Sequence, residues 1–152
     1  DPKTLAEIEI VPLDRDKSTT WLNRSAINGC AEGQHALASA YSKGEGVIEN
    51  DRLAAHWFEK AALGGKVESM VLIALRLWQG EGIEQNQVKA LAGLLLAENK
   101  AYNQNDQKLI EHITKIKPNW KSVLSKQKIE KAQSSAKALE KLVRKNESAF
   151  KG

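Results

Sequence analysis

Cysteine occurs once in this chain of 152 residues, at Cys30, which excludes an intrachain disulfide framework and a cluster of thiolate metal ligands. Set among small residues at a helix junction, that thiol reads as a small buried side chain rather than a reactive one. No apolar run approaches the roughly 18 residues that a membrane-spanning helix needs. The three histidines, His35, His56 and His112, are widely spaced, so a shared metal site is not expected. A metalloprotease His pair, a phosphate-cradling glycine loop and a Ser, His and Asp set in recognisable context are all missing. An enzyme is therefore not expected, nor any cofactor or metal. The chain starts at Asp1 with neither Met nor a signal peptide, which reads as a trimmed or mature product.

The composition is that of one folded domain, 41% hydrophobic and 28% charged. Its charge is unevenly spread. Residues 1–114 carry 12 Lys and Arg against 16 Asp and Glu, a net −4, whereas residues 115–152 carry 11 against 3, a net +8. The basic end is either a solvated helix face or the part that meets an acidic surface.

The strongest signal is self-similarity. Gly44-Glu45-Gly46 returns 36 residues later as Gly80-Glu81-Gly82. At the same offset Trp21 matches Trp57, Ala38 matches Ala74, Asn50 matches Asn86, and Ala54 matches Ala90. Such a period marks a repeat architecture in which each unit buries its apolar face by stacking on the next. Helical periodicity places a first helix over about 32–42 and again over 67–79, through Leu37, Ala38 and Tyr41 and then Ile73, Ala74 and Leu77. Gly-Glu-Gly ends each one, and a second helix follows over about 51–63 and 87–98, with Asn50 and Asn86 as N-caps. The pairing of Trp21 with Trp57 puts both in the core and starts the array halfway through a repeat. A third first-type helix is expected near 104–116, ended by Pro118. Ser125 then opens a last helix with Ile129, Ala132, Ala136, Leu139 and Val143 on one face, read as the terminal cap. Residues 1–17 read as an extended lead, 18–116 as the array, and 117–152 as a linker and basic capping helix.

The segment 37–64, LASAYSKGEGVIENDRLAAHWFEKAALG, resembles the Sel-one-like repeat family. The second copy departs from that pattern at Leu77, where Tyr is expected, and at Leu96-Ala97-Glu98, which replaces Lys-Ala-Ala. The likeness extends over about 21–143. It implies an all-α fold, a right-handed α-α superhelix (solenoid) related to tetratricopeptide arrays, with about two and a half helix-pair repeats and a C-terminal capping helix. It also implies roles as adaptors and scaffolds, and in bacteria some members are exported or serve as immunity partners of toxins. In related arrays the first helices line the concave side. Carried over, the groove-facing residues are Glu32, His35, Ser39, Ser42 and Lys43, then Glu68, Val71, Leu75, Trp78 and Gln79, then Gln104, Gln107, Glu111, Thr114 and Lys115.

Val71, Leu75 and Trp78 lie at helical spacing on a side that Ile73, Ala74 and Leu77 do not use, so this helix is apolar on two sides. It is either buried on both or offers a binding patch with Trp78 as its anchor. The chain's own residues 8–11, or the capping helix, are the alternative occupants of the groove. Trp120 reads as packing against the loop before the cap. The expected function is a non-catalytic module that binds another protein, most sharply an immunity protein that neutralises a secreted toxin effector in the periplasm or envelope. An adaptor of the envelope or of signalling is the runner-up, and the cytoplasm is the alternative location of the protein. A small hydrolase using His35 and Glu32 is a third reading that nothing else in the sequence supports. A monomer is expected, with no membrane span and no nucleic-acid partner.

Overall fold

Seven helices make up residues 17–151, the part of the chain that the computed structural model describes. They are α1 (Lys17–Ile27), α2 (Ala31–Lys43), α3 (Asp51–Leu63), α4 (Val67–Gln79), α5 (Gln87–Asn103), α6 (Gln107–Val123) and α7 (Lys126–Lys151). No strand occurs among the described residues. The reading of residues 1–16 as an extended lead, and of residues 8–11 as a groove filler, lies outside them. From α1 to α6 each helix packs on the next. The pairs α2–α3 and α4–α5 are the two full repeats, α1 is a second-type helix with no first-type helix before it among the described residues, and α6 is a third first-type helix.

Local chemistry sets the boundaries. Asn50 Oδ1 accepts the Leu53 N–H at 3.0 Å and Asn86 Oδ1 accepts the Lys89 N–H at 2.9 Å, so both asparagines cap second-type helices as expected. Asp106 does the same for α6 through the Leu109 N–H at 3.1 Å. At the other end of the first-type helices, Gly44 and Gly80 take left-handed conformations with φ of 68° and 77°, which only glycine adopts without strain.

The core runs continuously along the array. Alanines 38, 54, 61, 74, 90 and 97 are fully buried and let neighbouring helix backbones approach, while Leu37, Tyr41, Trp57, Phe58, Met70, Leu91 and Leu94 fill the space between them. Trp21 is not part of it. It is 68% exposed, with the Arg24 guanidinium 5.8 Å from its ring centre, whereas its repeat mate Trp57 is 2% exposed. The difference comes from neighbours, since among the described residues α3 is flanked by α2 and α4, and α1 by α2. Cys30 also departs from expectation. It is half-buried at the N-cap position of α2, where the polar groups of the Gly33 backbone and the Ser25 side chain hold its thiol below the usual cysteine value.

Tyr41 is 2% exposed, and its hydroxyl has no hydrogen-bond partner among the described residues. Burial pushes its ionisation up to about 12. Leu77, at the equivalent place in the next repeat, shows that the site needs bulk and not a hydroxyl. Tyr41→Phe should therefore raise unfolding free energy by about 1 kcal/mol in urea melts. A loss of similar size would mean that the hydroxyl is satisfied.

Pro118 does not end the third first-type helix, because α6 continues to Val123. Two anchors flank the proline and hold the helical path across it. Lys117 pairs with Glu98, and Trp120 stacks on Trp78 with ring centres 4.3 Å apart and planes 2° from parallel. Nor does α7 close the array by stacking on its last member. It lies along α5 and reaches back to α3, burying Ala132 and Val143. Asn146 Nδ2 donates to the Leu63 carbonyl at 3.0 Å, and Glu147 pairs with Lys100 at 2.7 Å. A one-sided apolar stripe on α7 is satisfied by the flank of the array as well as by its end.

Candidate partner-binding face

The solvent side of the first-type helices repeats in register. On α2 a stripe of exposed or partly exposed residues includes Glu32, Ala36, Ser39 and Lys43, and on α4 the residues 36 positions later, Glu68, Leu72, Leu75 and Gln79, are likewise at least partly exposed. Ser39, Glu68, Leu75 and Gln79, expected on the groove side, belong to this stripe. Leu72 joins them, although sequence reasoning passed it over. Behind this stripe the helices are fixed by polar contacts between repeats. Lys66 bridges Glu32 at 2.8 Å and Glu68 at 3.3 Å.

Several expected groove residues are engaged inward instead. Val71 is 3% exposed and belongs to the core. Trp78 is half-buried, with one indole face covered by Trp120, so it braces α4 against α6 rather than standing free as an anchor. Trp120 is correspondingly buried on α6 and is no part of a loop. Ser42 accepts a 2.8 Å hydrogen bond from Arg76 Nη2. Gln104 caps the end of α5 instead of joining α6. Gln107 and Glu111 are exposed on α6, where Glu111 is held by Lys115 at 2.9 Å and the Thr114 hydroxyl donates to the Ile110 carbonyl.

Arg76 is the polar centre behind the face, and it was invisible in the sequence. It is 7% exposed, with Nη1 3.1 Å from Asp51 and 3.7 Å from Glu81, and its guanidinium lies 5.7 Å from the Phe58 ring centre. A buried guanidinium is tolerable only with such partners. By meeting Ser42 and Asp51 it locks the second repeat onto the first.

His35 is half-buried too, sharing a 2.7 Å hydrogen bond between Nδ1 and Ser69 Oγ and standing edge-on to Phe58 at 5.6 Å. Burial first, and then the Lys66 charge, hold its imidazole below the ordinary histidine value of 6.5. The folded state therefore resists a proton that the unfolded chain accepts. The stability contributed by neutral His35 is complete above about pH 6.5 and is lost as the pH falls below it. Thermal melts at about pH 7.5 and about pH 5.5 should differ more for this chain than for His35→Gln. An equal difference would remove His35 from the pH response.

The described residues contain no group of three or more His, Cys, Asp or Glu able to hold a metal ion. No helix among them is long and apolar enough to cross a membrane. What the face offers is surface for contact: two half-exposed leucines in a polar rim on a braced scaffold.

Comparison with known proteins agrees with this geometry. Residues 31–66 and 67–92 each match the Sel1 repeat. The matched stretches cover α2 to the first third of α5, a shorter span than the resemblance reaches in the sequence. No curated protein matches the chain. Among solved structures, a protective antigen present in uropathogenic Escherichia coli strains, described as displaying an SLR fold, superposes with a TM-score of 0.73 over 89% of this chain at 22% identity. This chain spans 28% of that protein's length. Sel1 and SLR repeats are generally protein–protein interaction modules. Its two repeat matches and its shared architecture make this chain similar to Sel1-repeat proteins of the SLR fold.

Proposed function

We propose that this chain is a non-catalytic module that binds another protein through the open stripe of α2 and α4, and that it acts in a bacterial envelope or periplasm as an immunity protein neutralising a secreted toxin. The observation that carries the binding face is a difference between repeats. Leu72 and Leu75 occupy positions where the first repeat has Ala36 and Ser39, so packing within the repeat does not demand leucine there. Large apolar side chains held half in solvent by a rigid helix, with Glu68 and Gln79 beside them, are what a protein interface uses as its centre and rim. The bacterial setting draws on the similarly folded protective antigen of Escherichia coli.

The test has two stages. A partner is first captured from the native bacterium by crosslinking to the tagged chain. It is then expressed alone and together with the chain. The partner should arrest growth alone and be harmless with the chain present. Leu75→Arg should abolish this protection and weaken binding at least about tenfold, while its long stem keeps the loss of stability below about 1 kcal/mol. A partner that is harmless alone would defeat the immunity role. Unchanged binding by Leu75→Arg would defeat the face.

A further inference from the structure

On the flank opposite the first-type helices, α7 carries six exposed lysines that make no ion pair among the described residues, namely Lys126, Lys128, Lys131, Lys137, Lys141 and Lys145. Two of its three acids are already neutralised, Glu140 by Arg144 at 2.7 Å and Glu147 by Lys100 at 2.7 Å. The surface is therefore strongly positive along a helix about 39 Å long.

Beside these lysines lies a cleft of about 440 Å³ between the start of α5 and the middle of α7. Val88, Ala92, Ala138, Leu139 and Leu142 give it an apolar lining. Lys131 stands at its edge, as does Lys89, which Glu59 already neutralises at 2.7 Å; no carboxylate lines the cleft, and Leu142 is 43% exposed. We propose that this cleft and the adjoining lysine face form a second docking surface, which takes an acidic amphipathic segment of a partner protein. Such a segment seats apolar side chains in the recess and sets its Asp and Glu against the lysines.

The shape selects this occupant. A helix that lies on a bilayer presents protruding apolar side chains below its cations. Here the apolar surface is recessed and the cations stand out around it. A single-stranded nucleic acid would stack its bases on aromatic side chains, and none lines this cleft. A recessed apolar lining beside unpaired cations complements a chain bearing both anchors and carboxylates.

The probe is a fluorescent peptide of about 18 residues, with Leu and Phe at helical spacing and Glu elsewhere, titrated with the intact protein and read by anisotropy. Its control has Lys in place of Glu. The Glu peptide should bind and the Lys peptide should not. Binding should weaken about tenfold when Ala138→Phe fills the cleft, and by a similar factor in Lys131→Glu combined with Lys141→Glu. Raising salt from about 0.05 M to about 0.3 M should weaken it several-fold. Leu75→Arg, on the other flank, should leave it unchanged. Ala138 and both lysines are exposed, so matching circular dichroism melts will show that the variants fold.

Equal binding of the two peptides overturns the proposal. So does indifference to Ala138→Phe, which would reduce the surface to general charge attraction. Tighter binding to phosphatidylserine vesicles or to a single-stranded oligonucleotide than to the Glu peptide assigns the surface to another class and also overturns it.

Discussion

Replacing Gly82 by alanine should cost the fold about 3–5 kcal/mol, a large part of what holds a domain of this size together. Gly82 adopts φ +71°, and a Cβ added there would overlap the main-chain carbonyl of Asp51 and come within 2.9 Å of the Arg52 nitrogen. Both obstacles are backbone, so no rotamer change relieves them. Asp51 opens α3 and also holds Arg76, so a shift of the turn would pull on the ion pair that joins the repeats. Gly80→Ala is the control. It has a similar conformation, φ +77°, but its added Cβ would come no nearer than 3.2 Å to its closest neighbour, Gln85 Cβ, a contact that a shift of a few tenths of an ångström in the turn relieves. Its cost should be about 1 kcal/mol, the ordinary penalty of a left-handed alanine. Urea unfolding of the two variants decides the matter. Equal small losses would show that the turn of the second repeat does not press on α3.

Deleting residues 125–152 should abolish cooperative unfolding or leave an aggregating product. The last helix covers a seam where Met70, Ile73, Leu77 and Leu96 meet Leu139 and Val143 around a space of about 60 Å³. Without α7 that seam opens to water at roughly 25 cal/mol per Å² of apolar surface. A point change tests the same contact with less disruption. Val143 is 1% exposed, and Val143→Asp would strand a carboxylate there, costing about 4 kcal/mol. The neighbouring Leu142→Asp, at a 43% exposed position, should shift the melting temperature by only a few degrees. A stable, monomeric truncated chain would leave α7 as an ornament of the array.

The helices were legible because the sequence states them twice. Gly44 with Gly80 and Asn50 with Asn86 mark the same two boundaries in consecutive repeats, and the expected span of α4 coincides with Val67–Gln79. What could not be read is what each helix lies against. Repeat equivalence equated Trp21 with Trp57, but it carries no information on whether a flanking helix exists. The apolar stripe of α7 announced a buried side without saying which helices would bury it. Pro118 was read through its missing N–H alone, whereas the anchors on either side of it come from α5 and α4.

The candidate face was half legible for a related reason. An apolar helix surface on two sides cannot by its period tell Val71, buried in the core, and Trp78, stacked on Trp120, from Leu72 and Leu75, which pack on the core and stay partly open to solvent. Comparing repeats position by position would have added Leu72 to Leu75, because Ala36 and Ser39 stand opposite them. Arg76 left no such trace. Its equivalent is Ala40, and its partners Ser42 and Asp51 lie 34 and 25 residues away.

The hydrogen bond from Asn146 to Leu63 spans 83 residues, whereas the main helix packing from α1 to α6 joins each helix to the next. A solenoid of nearest neighbours can zip up from its start while the remainder is still being synthesised. Here the junction after α3 waits for the end of α7, so the helices between them are synthesised with that seat vacant. Loop closure of this length slows the final step of assembly. Once made, it couples the first repeat to the last turn, and fraying at either end then draws on the stability of the whole.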